Sequence, residues 1–524
     1  MALFDALVDR VSAAVWNRHP RWAVEVGRHE YDGQVPALSG EALADGVERL
    51  GRLRSQLADL EGLDADQDLE RAVLLSVAAR EVFEVEVVRR PQRDPCWYLD
   101  PLDIGVYLER DYAPAGLRVE RALAVLDQTE VVLDAARSGL GEEIPRAWCE
   151  WGIREARRTA ARLGDLQGAP ALRPAGEMVR RELLEAGEVA SRAVEGFAGW
   201  LEERLAGAIG SWVMGRGVLE EWLATSESGS RPLEELAAIG RGLVAEDGEA
   251  LAEAAAQAAP GVEVAEACRR VAAEPAADPL RLLGSAVEEA RGFVEAAGLV
   301  ALPAGGGLRV APGLRLRPDV AGRLEVPGPY DDAATEAVLY LGPAGESASG
   351  PGPAALQDLA VTAAYPGRLV LLRRAAVAAG EAMRRFPSRG FQEGWALYAG
   401  DLMETAGYRA GDPAWRVARR RHALRADCRL VCSAGLSSGE MTLQQAEGVF
   451  AGQAFMAPAG ARAEALRCSA DPLCLTGALG RWELARLRGR WEAERPGVPC
   501  GAFHDTILSH GALPLGLLEG VVLG

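Results

Sequence analysis

The sequence predicts a mainly α-helical globular protein with one small β-element. Apolar residues recur at three- and four-residue steps along most of the 524-residue chain, the period of a helix with one buried face. The stretches between them are rich in Ala, Leu, Glu and Arg, all strong helix formers. Gly and Pro cluster instead around 299–350, together with short apolar runs that read as strands. Hydrophobic residues make up 49% and charged residues 25% of the chain, the balance of a folded core with a solvated surface.

In chain order, Phe4, Leu7, Val8, Val11 and Val15 place a helix within 1–26. A polar loop, Gly27 to Gly33, follows. Ser39 is positioned to cap a helix over 40–61, without a full capping box because Ala42 stands where a Glu or Gln would reach back. A second amphipathic helix covers 65–90. Residues 94–101 carry a proline near each end and predict a loop or extended turn. Helical patterning resumes over 114–138, 145–165, 174–207 and 216–224. After a polar loop at 225–232, Pro232 is a favoured first-turn residue for a helix over 233–257, and helices over 262–272 and 278–298 follow. Pro303, Gly305, Gly306, Gly307, Pro312, Pro318, Pro327 and Pro329 break the next segment, and Leu308–Val310 and Ala337–Leu341 are its strand candidates. Beyond 354 the chain reads as helical almost to its end, with helices at about 356–385 and 389–407. Three regions result: a helical 1–298, a β-containing 299–350 and a helical 351–524.

Composition narrows the function. The net charge is −19 and the pI about 5.0, so phosphate backbones and anionic lipid are repelled; no nucleic acid or membrane partner is expected. All 57 basic residues are arginine, which excludes Schiff-base and lysine-base chemistry. Asp5, Asp9 and Arg10 interrupt the first apolar stretch, so it does not read as a secretory signal. No stretch approaches the roughly 18–20 apolar residues of a membrane span. The eight cysteines are scattered without a CxxC pair, which points to reduced thiols and a cytoplasmic protein. Cys428 and Cys432 could share a helix face, but without a second ligand pair they read as small buried hydrophobes.

Two segments carry a resemblance. Thr362-Ala363-Ala364-Tyr365-Pro366-Gly367-Arg368-Leu369 and Phe391-Gln392-Glu393-Gly394-Trp395-Ala396-Leu397-Tyr398-Ala399-Gly400 are similar to the motifs HE-x-YPGHH and EGWALYAE. These belong to a large bacterial family, often filed as a domain of unknown function, that is related to zinc metallopeptidases. Gly27–Gly33, Asp94–Asp100, Arg110–Pro114, Phe503-His504-Asp505 and Gly511–Leu515 extend the likeness in order over nearly the whole chain. The resemblance implies a large, neurolysin-like helical body around a cleft. In intact members it implies imidazole and carboxylate zinc ligands, a Glu as general base for the metal-bound water, and the EGW Glu as a further ligand.

This chain departs from the motifs at their chemistry. Thr362 stands for the first His, Ala363 for the adjacent Glu, Arg368 and Leu369 for the later His pair, and Gly400 for the second acid; Ser437 takes the place of another His. Of these ligands only Glu393 remains, and a cation at 368 repels Zn²⁺. No metal, cofactor or catalytic residue is therefore expected. The vestigial cleft comprises Thr362, Ala363, Tyr365, Arg368, Glu393, Trp395 and Tyr398, where Arg368 and Glu393 either pair and fill the site with a salt bridge or both point to solvent. Tyr365, Trp395 and Tyr398 either line a pocket or pack in the core.

The remaining histidines, His19, His29, His422, His504 and His510, lack HExxH spacing. His29 reads as a loop residue bonded locally, and His504 and His510 as packing or capping residues. There is no GxSxG elbow and no phosphate loop after Gly305–Gly307. The expected function is that of an inactive metallopeptidase-like protein that keeps a cleft for a small molecule or peptide. The alternative is a hydrolase or other enzyme using different residues in that cleft. Sequence fixes neither ligand nor oligomeric state.

Overall fold

The structure, a computed structural model, describes residues 2–227, 229, 231–313, 322–342 and 350–523. Helix α1 (Ala2–Arg18) buries Phe4, Leu7, Val8, Val11 and Val15, the residues whose spacing predicts it. The Ser39 hydroxyl accepts the Ala42 N–H at 3.2 Å and opens α2 (Gly40–Ala58). Asp64 and Gln67 close a capping box on α3 (Ala65–Glu86). The loop expected at 94–101 is instead two short turns of helix, Cys96–Leu99 and Asp100–Leu102. The Asp94 carboxylate takes the Cys96 N–H at 2.9 Å, and Pro95 and Pro101 fall where a helix start needs no N–H.

Helices α4 (Arg146–Leu163) and α5 (Glu177–Leu205) pack along each other and enclose an apolar cluster of their own that includes Ile153, Ala160, Val194 and Phe197. Helix α6 (Leu233–Ala258) starts one residue after Pro232, which acts as its N-cap rather than as its first turn. Ser228 and Ser230 of the expected loop lie outside the described residues. Helix α7 (Pro279–Ala297) ends at Gly298, whose φ of +60° stops it in the left-handed conformation.

The β-element is a three-stranded sheet of β1 (Leu308–Pro312), β2 (Arg323–Glu325) and β3 (Ala337–Leu341) in the order β1-β3-β2. β3 runs parallel to β1, with Leu308 opposite Ala337, and antiparallel to β2, with Leu324 opposite Leu339. All five β3 residues are buried, so the central strand is a continuous apolar run. β2 is only three residues long and gives no periodicity of its own. Pro318 lies outside the described residues.

The helix expected at 356–385 is broken into pieces. Helix α8 (Pro353–Leu359) runs into one wide π-type turn over Ala360–Ala364, the Tyr365–Pro366 peptide is cis, and α9 (Arg368–Ala375) starts anew. Pro366 has no N–H to continue the ladder. A short helix, Glu381–Arg385, precedes α10 (Arg389–Thr405), α11 (Pro413–Ser438), α12 (Pro458–Ala470), α13 (Thr476–Glu494) and α14 (Cys500–Ser509). Helix α6 lies along α11 and α10 along α13. The principal core gathers residues from Phe4 to Val522, so both helical regions contribute to one apolar interior. No described helix is long and apolar enough to cross a membrane.

Candidate functional site

The two motif segments meet. Tyr365 N–H donates to Ala360 O, and Gly367 N–H donates to Val361 O at 3.1 Å, which folds the YPG turn back on the end of the π-turn. A Cβ at 367 would stand 2.0 Å from the Thr362 carbonyl oxygen, so only glycine permits this approach. The Trp395 indole N–H then donates to Pro366 O at 2.8 Å and ties α10 to the turn. Gly394 lets α10 lie against α13: a Cβ there would be 2.7 Å from the Gly480 backbone. The glycines of both motifs are thus explained by packing.

Thr362 and Ala363 are buried, and the Thr362 hydroxyl is spent on the Asp358 carbonyl at 2.9 Å. Trp395 is fully buried. Tyr398, also in the core, donates its hydroxyl to His504 Nε2 at 2.8 Å. His504 Nδ1 lies 2.6 Å from Leu299 O; a carbonyl can only accept, so the proton sits on Nδ1 and Nε2 is the acceptor. Burial pushes His504 down to about 4, which keeps this ring neutral. Of the three aromatics expected to line a pocket or fill the core, Trp395 and Tyr398 fill the core, and Tyr365 is half-buried.

Glu393 is ion-paired, but not with Arg368. Arg389 lies one turn earlier on the same helix; its Nε donates to Glu393 Oε1 at 2.9 Å and its Nη1 to Asp471 Oδ2 at 2.8 Å. An i,i+4 partner needs no second element to place it. Arg368, at the start of α9, makes no ion pair within 4 Å among the described residues and acts on Glu393 from farther away. Burial alone would raise the Glu393 carboxyl, but Arg389, then Arg368 and Arg467, outweigh it and hold it ionised. Asp471 is likewise pulled down to about 2 against its burial by Arg389, Arg467 and Arg90. The Asp471 carboxylate also takes the Cys474 thiol at 3.5 Å. Sequence reasoning missed Arg389 and Asp471. The four-residue spacing to Glu393 could have flagged Arg389, whereas nothing local marks Asp471.

Gly400, where the resemblance expects an acid, leaves space that Arg419 fills. A Cβ at 400 would fall 1.9 Å from Arg419 Nε. Arg419, fully buried, donates to Leu397 O and to Asp401 Oδ1, at 2.5 and 2.8 Å. Nearby, His422 Nδ1 lies 2.8 Å from Asp358 Oδ2, but among the described residues no hydroxyl or thiol bonds to its Nε2. Ser437 is buried, with its hydroxyl unpaired.

The residues do not fit zinc. A thiol-free set of Thr362, Ala363, Arg368 and Leu369 offers neither imidazole nor carboxylate, and Glu393 is taken by Arg389. Among the described residues no group of three or more His, Cys, Asp and Glu is arranged to hold a metal ion. Cys428 and Cys432 do share a buried face of α11, where burial pushes the Cys432 thiol up to about 12. An open, largely apolar groove of about 580 Å³, lined by Val244, Ala252, Val264, Val431, Val449 and Phe455, includes none of the motif residues.

The family model described as a bacterial protein of unknown function, DUF885, matches residues 20–522. The chain belongs to the DUF885 family. Two solved structures share its fold over nearly their full length. One is a candidate lipoprotein of unknown function from Shewanella oneidensis, at 17% identity and a TM-score of 0.75, covering 99% of this chain and 100% of that one. The other is a candidate lipoprotein from Colwellia psychrerythraea, at 18% identity and a TM-score of 0.77, covering 99% and 98%. No curated protein matches the chain.

The DUF885 chain's GRHEYDG segment is a latch rather than a reactive site. His29 Nδ1 lies 3.1 Å from Asp32 and Nε2 lies 2.7 Å from Asp331, across 302 residues of sequence, while its ring stacks on Tyr112. Burial disfavours the charged ring, but the two carboxylates outweigh it and raise His29 to about 9. A raised folded-state value means that the latch stabilises fully below the unfolded value near 6.5 and is lost as pH rises through about 9. With half-exposure discounted, its worth is on the order of 1–2 kcal/mol. Urea unfolding of the wild type should therefore weaken between pH 7 and pH 9.5 by more than that of His29→Gln. Parallel pH profiles for the two proteins would refute the latch.

Proposed function

We propose that this DUF885 protein is a non-hydrolytic binding protein that uses the site between the YPG turn and α10 to hold a small molecule or peptide. The observation that carries the proposal is the Arg389–Glu393 ion pair beside Arg368: the remaining carboxylate of the motif is engaged by a guanidinium, and a cation, Arg368, stands where a hydrolase of the resembling kind needs a metal ligand. What further supports it is that the packing devices are kept. Gly367, Gly394 and Trp395 still join the two motif segments, as a maintained binding fold requires. The eight cysteines, none in a disulfide, support the reducing, cytoplasmic setting proposed with it.

The test is metal analysis and peptidase assay of the purified protein, beside a Thr362→His, Ala363→Glu, Arg368→His variant. The wild type should carry no stoichiometric zinc and gain no peptide hydrolysis when zinc is added. The triple variant should take up more zinc than the wild type. A wild-type protein with one tightly held zinc per chain and zinc-dependent hydrolysis would overturn the proposal.

A further inference from the structure

The charge at this site has been inverted relative to a metal site. Arg368, Arg389 and Arg467 surround Glu393 and Asp471, and the visible acids are already engaged by Arg389, whose side chain remains 36% exposed. Arg368 is half-buried and, among the described residues, forms no ion pair within 4 Å and no hydrogen bond. In this chain most arginines are ion-paired, often in networks. None of the Arg368 nitrogens is a buried atom without a partner, so its donors face solvent unspent and an incoming carboxylate can take them without displacing another anion. Arginine is also the side chain best shaped for the purpose, because its planar fork meets a carboxylate with two parallel N–H···O bonds.

We propose that Arg368, supported by Arg389 and Arg467, receives the carboxylate of a ligand, either an acidic small molecule or the free C-terminus of a peptide. The inference rests on the binding reading above and names the ligand chemistry of the same site. Arg389 is held in place by Glu393 and Asp471, so it lends field and shape, and Arg368 supplies the free donors. Tyr365, half-buried on the same turn, gives the ligand an apolar neighbour.

The experiment titrates the full-length protein, by calorimetry at low salt, with glutarate, with a short acetylated peptide bearing a free C-terminal carboxylate, and with the same peptide as its C-terminal amide. Saturable binding of glutarate alone identifies a small acid as the ligand, and binding of the peptide acid but not the amide identifies a peptide terminus. In either case Arg368→Gln should weaken binding roughly ten-fold or more, Arg368→Lys less, and Arg241→Gln, a distant exposed arginine, not at all. Circular dichroism and denaturant midpoints check that the variants fold, and the acid–amide comparison on the wild type decides the matter even if Arg368→Gln does not. Equal binding of acid and amide, no saturable binding of any carboxylate, or undiminished binding by a folded Arg368→Gln overturns the inference. Those outcomes leave the absence of hydrolysis untouched, whereas zinc-dependent hydrolysis would sink the non-hydrolytic reading without deciding the acid–amide comparison.

Discussion

Arg481→Met should destabilise the protein by about 3–5 kcal/mol at neutral pH, the cost of leaving buried carboxylates without their cation. Arg481 projects from α13 into the junction of α6, α10 and α11. There it pairs with Asp247 and Asp401 and lies 3.4 Å from Asp427. Asp247 and Asp427 are essentially inaccessible to solvent. Burial raises Asp427 well above the usual carboxylate range, and the neighbouring Asp247 carboxylate adds to the rise. Burial would raise Asp247 as well, but Arg481 and then Arg420 hold it low. The depressed group contributes stability above its unfolded value near 4, lost only as pH falls through its folded value. Without Arg481 the same carboxylates must take up protons to stay buried, so the variant's deficit should be largest near pH 8 and shrink towards pH 5. Denaturant midpoints of both proteins across that range provide the measurement. A deficit under about 1 kcal/mol, or one independent of pH, would show that the network is solvated rather than buried.

Such a network could not have been read from the sequence. Asp247, Asp401, Asp427 and Arg481 come from four helices, and each looks in isolation like one more charged residue of an amphipathic helix. The helices themselves were legible, because local signals build them: Ser39 caps α2, Pro279 opens α7 after Asp278, and Gly298 ends it. β3 was legible as an unbroken apolar run, whereas β2 depends on β3 for its pairing and carries no pattern of its own. The 356–385 helix failed because three of residues 360–364 are alanine and read as helix, while Pro366 and Gly367 redirect the segment's hydrogen bonds. At the site, Trp395 of one segment does meet Pro366 of the other, but Glu393 takes its partner from its own helix rather than from Arg368. Residue type marks a cation at 368 and a carboxylate at 393. Which arginine answers which carboxylate is set by helix packing, and that information is non-local.

Gly394→Val should be the most damaging single change near the site, costing about 3 kcal/mol or more through overpacking against backbone that cannot swing aside. The two nearest obstacles to a Cβ at 394 are the Gly480 Cα and carbonyl carbon, both at 2.7 Å, and a Cβ at 480 would in turn stand 2.6 Å from Gly390 O. α10 and α13 therefore touch main chain to main chain, and any side chain at this crossing pushes α10 off α13. That shift would carry Glu393 away from Gly477, where a Cβ would stand only 3.3 Å from the Glu393 side chain, and draw Trp395 from Pro366. Loss of stability and loss of carboxylate binding should then appear together. The opposite sign is expected at Gly196, an exposed glycine within α5 where a Cβ meets nothing within 4 Å. There, Gly196→Ala should stabilise by about 0.5–1 kcal/mol, since the glycine contributes only backbone freedom to the unfolded chain. The pair separates helix propensity from steric fit: both are mid-helix glycines, and only the space around them differs. If Gly394→Val melts within about 1 kcal/mol of the wild type, α10 and α13 do not meet at this crossing, and the glycine in the motif needs a different reason.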